Sequence, residues 1–218
     1  MSEQSDFLDI LLENQENMTE KQKKILEAAV ETFSEKGYAA TSTSEIAKKA
    51  GVAEGTIFRH YKTKKDLLLS IVAPTMAKLL APFLIRDFNK VLLADYGDFE
   101  DFLRAVIINR MEFAQKQMPI IKICLQEIPF HPELKSQFIE HVFNKLIDRF
   151  KYIVESYQKK GQIIDMPPTS VMRLTASSII GFILARTILI PESEWDDEQE
   201  MERTIQFIVK GLSPDSSK

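Results

Sequence analysis

Residues 42–61 read Ser-Thr-Ser-Glu-Ile-Ala-Lys-Lys-Ala-Gly-Val-Ala-Glu-Gly-Thr-Ile-Phe-Arg-His-Tyr. Two short helical segments flank a glycine, and the second ends in aromatic and basic side chains. That order is the pattern of a helix-turn-helix, whose second helix lies in the DNA major groove. Ser42 and Glu45 have capping-box spacing, so the first of the two helices starts near Thr43. It buries Ile46, with Ala47 and Ala50 small enough for a close helix crossing, and it stops at Gly51. Val52 plugs the turn. Ala53 to His60 then forms the next helix, with Ile57 facing the core and Ala53, Glu54, Thr56, Arg59 and His60 free to face outward.

Upstream, Ile25, Leu26, Ala29, Val30 and Phe33 recur at three and four spacing between Thr19 and Lys36, which gives one apolar helix face. Thr19 is placed as its N-cap and Gly37 as the glycine that ends it. Downstream, Thr63 and Asp66 repeat the capping spacing, so a fourth helix begins near Lys64 and carries Leu67, Leu68, Ile71 and Val72. Pro74 removes one backbone hydrogen bond from that helix and is expected to bend it.

Beyond Pro82 the breaks at 96–98, 118–119, 128–132, 160–161 and 166–168 leave helices near 83–93, 99–117, 120–127, 133–159, 169–189 and 196–211. No stretch alternates like a strand, so the fold is expected to be all-α. The apolar run from Ala176 to Ile190 is interrupted by Arg186 and is shorter than the roughly 20 residues of a membrane helix, so it reads as a buried helix, and no membrane partner is expected. Nothing at the start resembles an export signal, and one cysteine, Cys124, fits a reducing cytoplasm. The histidines at 60, 131 and 141 lie far from Cys124 and from one another, so neither a metal nor a cofactor is expected.

The formal net charge is −4, and its distribution matters more than its sum. Residues 1–18 carry five acidic groups and no basic one, whereas residues 19–72 carry ten Lys/Arg against seven Asp/Glu. Positive charge is therefore concentrated in the segment that holds the motif. The acidic extension 1–18 also contains Phe7, Leu8, Ile10, Leu11 and Leu12. It reads either as a frayed tail or as a segment that docks on the domain or opposes the basic face.

Residues 25–72 resemble the DNA-binding head of the TetR family of bacterial transcriptional regulators, TetR/AcrR-type. The resemblance is carried by Ile25-Leu26, Ala28-Ala29, Phe33, Gly37-Tyr38, Thr41, Thr43, Glu45-Ile46-Ala47, Ala50-Gly51-Val52, Gly55-Thr56-Ile57-Phe58, Tyr61, Lys64 and Leu67-Leu68. It implies an all-helical homodimer with a three-helix head at 19–72 and an effector-binding and dimerisation domain at 73–218. In that family the last two long helices of each subunit form the dimer interface, and a small molecule in the body spreads the heads.

Position by position, the resemblance makes Thr43, Gly55, Thr56, Phe58, Arg59, His60, Tyr61 and Lys64 the DNA-contact candidates. Arg59 has the reach for a guanine edge or for a phosphate. Phe58 packs on the sugar-phosphate chain or in the head core. Glu54 departs from the small or basic residue usual there, and either accepts from a cytosine amino group or points away. Candidates for an apolar effector pocket are Phe102, Ile107, Met111, Phe113, Cys124, Phe138 and Phe143, with Glu127 as a polar group. The same residues read equally as plain core, and Glu127 and His131 as parts of a proline turn. Val171, Leu174, Ser178, Phe182, Ile205 and Ile208 are assigned to the dimer interface, together with Ile179, Leu189, Phe207 and Leu212.

The function expected is a homodimeric repressor released from a palindromic double-stranded DNA operator by a small apolar or amphipathic effector. The alternative is a dimeric helix-turn-helix regulator controlled by a protein partner. An enzyme is not expected, since the chain has no Gly-rich phosphate loop, nucleophile elbow or paired His-carboxylate motif.

Overall fold

The computed structural model describes residues 18–74, 90–192 and 194–214, and every regular element among them is helical. In chain order these are α1 (Glu20–Lys36), α2 (Thr43–Ala50), α3 (Glu54–His60), α4 (Lys64–Pro74), α5 (Phe99–Lys116), α6 (Met118–Glu127), α7 (Pro132–Phe138), α8 (Asn144–Lys159), α9 (Pro168–Leu184) and α10 (Asp197–Leu212). A 3-10 turn, Ile128–Phe130, links α6 to α7, and π-helical turns follow α7 at Ile139–Phe143 and α9 at Ala185–Leu189. Of the helix expected near 83–93, residues 90–93 are described and helical. The rest of it lies outside the described residues, as do residues 1–17 of the acidic extension and the chain just beyond Pro74.

The described residues of 18–74 and 116–143 cluster into one compact unit, and those of 90–115 and 144–214 into another. The first unit is built by local signals. Thr19 caps α1 through a reciprocal pair, in which the Gln22 amide donates to Thr19 Oγ1 at 3.3 Å and the Thr19 amide to Gln22 Oε1 at 3.0 Å. Ser42 caps α2 by accepting from the Glu45 amide at 3.1 Å. The Glu45 carboxylate does not return the bond. It pairs with Lys36 at the end of α1, and that hydrogen bond holds it below the usual carboxylate range. Thr63 and Asp66 form a second reciprocal cap at the start of α4, both bonds at 3.0 Å.

Between α2 and α3, Gly51 adopts the left-handed conformation (φ 67, ψ 33), which a Cβ would strain. Ile25, Leu26, Ala29 and Phe33 of α1, Ile46 of α2, Ile57 of α3 and Leu67, Leu68 and Ile71 of α4 are completely buried. Each large side chain among them contributes roughly 1.5–3 kcal/mol on burial. Helix α1 also packs against α6, and α4 against α6 and α7.

In the second unit Phe99, Phe102 and Tyr157 form an aromatic cluster with centroids 5.3–6.1 Å apart. Gln162 anchors the start of α5 by accepting from the Phe99 amide at 2.7 Å. Helices α9 and α10 pack on each other, and α9 on α8. The expectation of a buried helix at 176–190 is corrected here. The helical stretch Pro168–Leu189 has a mean hydropathy of 1.4 and is long and apolar enough to cross a membrane, yet only 22% of it is buried within the chain. Arg173 and Arg186 interrupt it. It turns only one stripe inward, and Leu174, Ile180 and Leu189 are exposed.

Candidate nucleic-acid interface

The DNA-facing candidates sit on two adjoining helix starts and on the far end of α3. Thr43 opens α2 and Glu54 opens α3, and the Thr43 hydroxyl donates to Glu54 Oε1 at 2.6 Å. Gly55 is exposed, and a Cβ there would meet nothing within 4 Å. Thr56 is half-buried. Phe58, Arg59 and His60 are exposed together, so Phe58, at 47% exposure, is outside the head core. An aromatic face, a guanidinium and an imidazole side by side offer stacking, a bidentate donor fork and a hydrogen-bonding ring to a duplex.

Two candidates turn inward instead. Tyr61 is 8% exposed, and burial pushes its phenol up against an opposing hydrogen bond with Ser70. The Lys64 ammonium donates to the carbonyls of Tyr38 and Thr41, both at 2.7 Å, and lies 4.3 Å above the Tyr38 ring. It closes the 37–42 turn, which spends two of its three protons on the protein itself. Lys49 is likewise committed, to Glu31 at 3.0 Å and Glu35 at 3.5 Å, and the Glu31 hydrogen bond holds its ammonium above the usual range.

The residues proposed for an effector pocket fall into both units. Phe102 and Ile107 are buried in the second unit, where Met111 and Phe113 are half-buried and Arg110 lies 5.0 Å from the Phe113 ring. Cys124 and Glu127 are buried in the first unit, Phe138 is half-buried and Phe143 is exposed. Glu127 faces His131 across the 3-10 turn, Oε2 to Nε2 at 3.2 Å, while the His131 amide donates to the Glu127 carbonyl at 3.1 Å. That geometry ties the proline bend together. Of the dimer candidates, Val171, Phe182, Ile205 and Ile208 are buried inside the single chain, because they form the inward stripes of α9 and α10. Val171, Ile205 and Ile208 thus pack within the chain, whereas Phe182 also lines an open groove with Ser178 and Phe207. Leu174 is exposed and Ser178 half-buried.

Contacts absent from the sequence reading include the Thr43–Glu54 bond and the Tyr38–His131 ring contact. Only the i,i+4 spacing of Glu127 and His131 offered a signal in advance.

Comparison with known proteins agrees with this geometry. Residues 25–71 match the family described as bacterial regulatory proteins, tetR family. The uncharacterized HTH-type transcriptional regulator YvkB of Bacillus subtilis is 29% identical over 203 residues, covering 88% of this chain and 97% of that one. Among solved structures, the transcriptional regulator FadR from Bacillus subtilis in complex with stearoyl-CoA superposes with a TM-score of 0.61 at 21% identity, covering 87% of this chain and 98% of that one. A transcriptional regulator from Saccharomonospora viridis in complex with choline gives 0.64 at 17%, covering 90% and 100%. With the helices and the turn glycine of the motif in place, residues 25–71 form a DNA-binding head of the tetR family of bacterial regulatory proteins, in a chain that is similar along most of its length to HTH-type transcriptional regulators.

Proposed function

We propose that the chain is a homodimeric repressor that grips a palindromic operator with two copies of α3 and lets go when a small apolar or amphipathic molecule occupies its body. The observation that carries the reading is the joint exposure of Phe58, Arg59 and His60 on α3, within the one net-basic segment of an acidic chain. Residues 19–72 act as the DNA-binding domain and 73–218 as the effector and dimerisation domain. Two symmetric heads require half-sites about 34 Å apart or a multiple of that. The site of action is the cytoplasm, where the DNA is.

Dimerisation falls to the outward stripes of the last two helices. Leu174, Ile180 and Phe207 are exposed there, and an open groove of about 390 Å³ runs past Ser178, Gly181, Trp195 and Phe207. A second copy would cover this surface. The stearoyl-CoA and choline complexes of the structural neighbours support a body that accepts organic ligands.

The test is selection of bound sequences from a random duplex library, followed by binding measurements on the selected operator. The wild-type chain should enrich a palindrome, and Arg59→Ala should weaken it roughly 5- to 150-fold, the worth of a good base contact. Unchanged affinity removes Arg59 from the reading face. Release of the operator by an apolar ligand supports the effector reading, whereas release only by an added protein replaces it with control by a protein partner.

A further inference from the structure

The helix-turn-helix carries an anion where a duplex presents phosphates. Glu54 is the first residue of α3, half-buried, and among the described residues its hydrogen-bond partner is the Thr43 hydroxyl at 2.6 Å. No lysine, arginine or histidine among those residues lies within ion-pairing distance of it, although Lys48, Lys49, Arg59 and Lys62 belong to the same head. An ionised carboxylate has two oxygens and about four acceptor sites. One bond from Thr43 leaves most of that capacity open.

We propose that Glu54 is a specificity-determining residue of the operator contact, its carboxylate accepting a hydrogen bond from the exocyclic amino group of a cytosine in each half-site. The assignment rests on the reading of α3 as the recognition helix. In a recognition helix the N-terminal residues are the ones that meet base edges. Glu54 opens that helix, and Gly55 beside it is exposed and carries no side chain to hold the backbone away from the groove.

A carboxylate is repelled by phosphate, so at this position it favours association only where a base donor meets it. The major groove offers two such donors, the amino groups of cytosine and adenine. Adenine places its N7 acceptor beside the amino group, which suits a carboxamide with both donor and acceptor but opposes a second anionic oxygen. Cytosine N4 is the donor that matches a carboxylate.

Thr43 is the positioning residue. Its hydroxyl bridges the first residues of α2 and α3, spends its proton on Glu54 and so fixes the carboxylate before DNA arrives. Pre-set acceptors lose less side-chain freedom on binding than free ones.

The experiment is selection from a random duplex library with the full chain and its Glu54→Ala, Glu54→Gln, Thr43→Val and Thr43→Ser variants, each checked for wild-type thermal unfolding. The wild type should enrich one cytosine per half-site. Glu54→Ala should flatten that position alone by roughly 5- to 150-fold in relative preference, and Glu54→Gln should move it towards adenine. Thr43→Val should weaken the same preference, and Thr43→Ser, which keeps the hydroxyl, should restore it. A motif that survives Glu54→Ala unchanged overturns the assignment, even if overall affinity rises uniformly, since that result makes Glu54 a phosphate repellent only. A wild-type chain that enriches no motif overturns both this assignment and the reading of α3.

Discussion

The Tyr38 ring meets His131 edge-on, with centroids 5.3 Å apart and planes at 90°. Tyr38 follows α1 of the DNA-binding head, while His131 precedes α7, and both belong to one compact unit. The contact extends a chain of interactions that runs from Lys64 over Tyr38 to His131 and on to Glu127. A double-mutant cycle of Tyr38→Ala and His131→Ala, read by urea unfolding, should give a coupling energy of about 0.5–1.5 kcal/mol. His131→Ala alone should cost about 1–3 kcal/mol, because it leaves the largely buried Glu127 carboxylate without its ring partner, and adding Glu127→Gln should recover part of that. Strictly additive single effects would break the chain at Tyr38.

Stability should fall in alkali. Burial pushes the Cys124 thiol from 9.0 up to about 12, and burial with the nearby Asp98 and Asp95 carboxylates pushes the Tyr157 phenol from 10.0 up to about 12. Above pH 9 the unfolded chain gives up these protons while the folded chain keeps them. The folded state is therefore favoured fully below pH 9 and progressively less up to pH 12, by at most about 1.4 kcal/mol per pH unit for each group. In Cys124→Ala the decline should begin nearer pH 10, where Tyr157, with the phenols of Tyr38 and Tyr61 that burial also pushes up, is left to cause it. The same burial should keep Cys124 unreactive towards iodoacetamide at pH 8 until denaturant is added. A Cys124→Ala profile identical in slope to wild type would contradict the linkage.

Gly55 separates a functional glycine from a structural one. It lies in α3 with open space at the Cβ position, so Gly55→Ala should leave stability unchanged or raise it by up to about 1 kcal/mol through helix propensity. If the DNA backbone approaches there, the same methyl should weaken operator binding. Gly51→Ala should do the reverse at the level of folding and cost about 1–2 kcal/mol, since its φ of 67 disfavours any Cβ while its surroundings do not. Thermal unfolding and operator affinity measured on both variants decide this, and a Gly55→Ala chain with unaltered affinity would remove Gly55 from the contact surface.

Much of this architecture was legible because its signals are local. Thr19 with Gln22, Ser42 with Glu45, Gly51, and Thr63 with Asp66 act within four residues of themselves, so spacing alone located the head helices. What spacing could not show was where long polar side chains end. Lys64 looks like a phosphate contact in one dimension, and only the folded turn reveals that the Tyr38 and Thr41 carbonyls claim its protons. Thr43 and Glu54 lie eleven residues apart and meet only because α2 and α3 cross. In α9 the failure has another cause. The helix is apolar nearly all round, so its periodicity cannot tell the stripe that holds Val171 inside from the stripe that leaves Leu174 outside.

That last distinction yields a direct test of dimerisation. Phe207 is 73% exposed in the single chain, and it lines the same groove as Ser178 and Trp195. A charge at this position disturbs little within one subunit, because the side chain makes few contacts there. Phe207→Glu should accordingly keep the thermal unfolding of an isolated chain within about 0.5 kcal/mol. In a dimer closed by α9 and α10 the two-fold axis repeats each substitution, so each carboxylate is pressed into apolar surface and both faces of the contact are damaged. Sedimentation at micromolar concentration should then show a dimer for wild type and a monomer of 25.0 kDa for the variant. Operator affinity should fall with it, since two half-sites read by unlinked heads lose the gain in effective concentration that linkage provides. By contrast Ile205→Ala, at a residue completely buried within the chain, should lower stability by about 2–5 kcal/mol and act on dimerisation only through that loss. A Phe207→Glu chain that still sediments as a dimer would move the interface off these two helices.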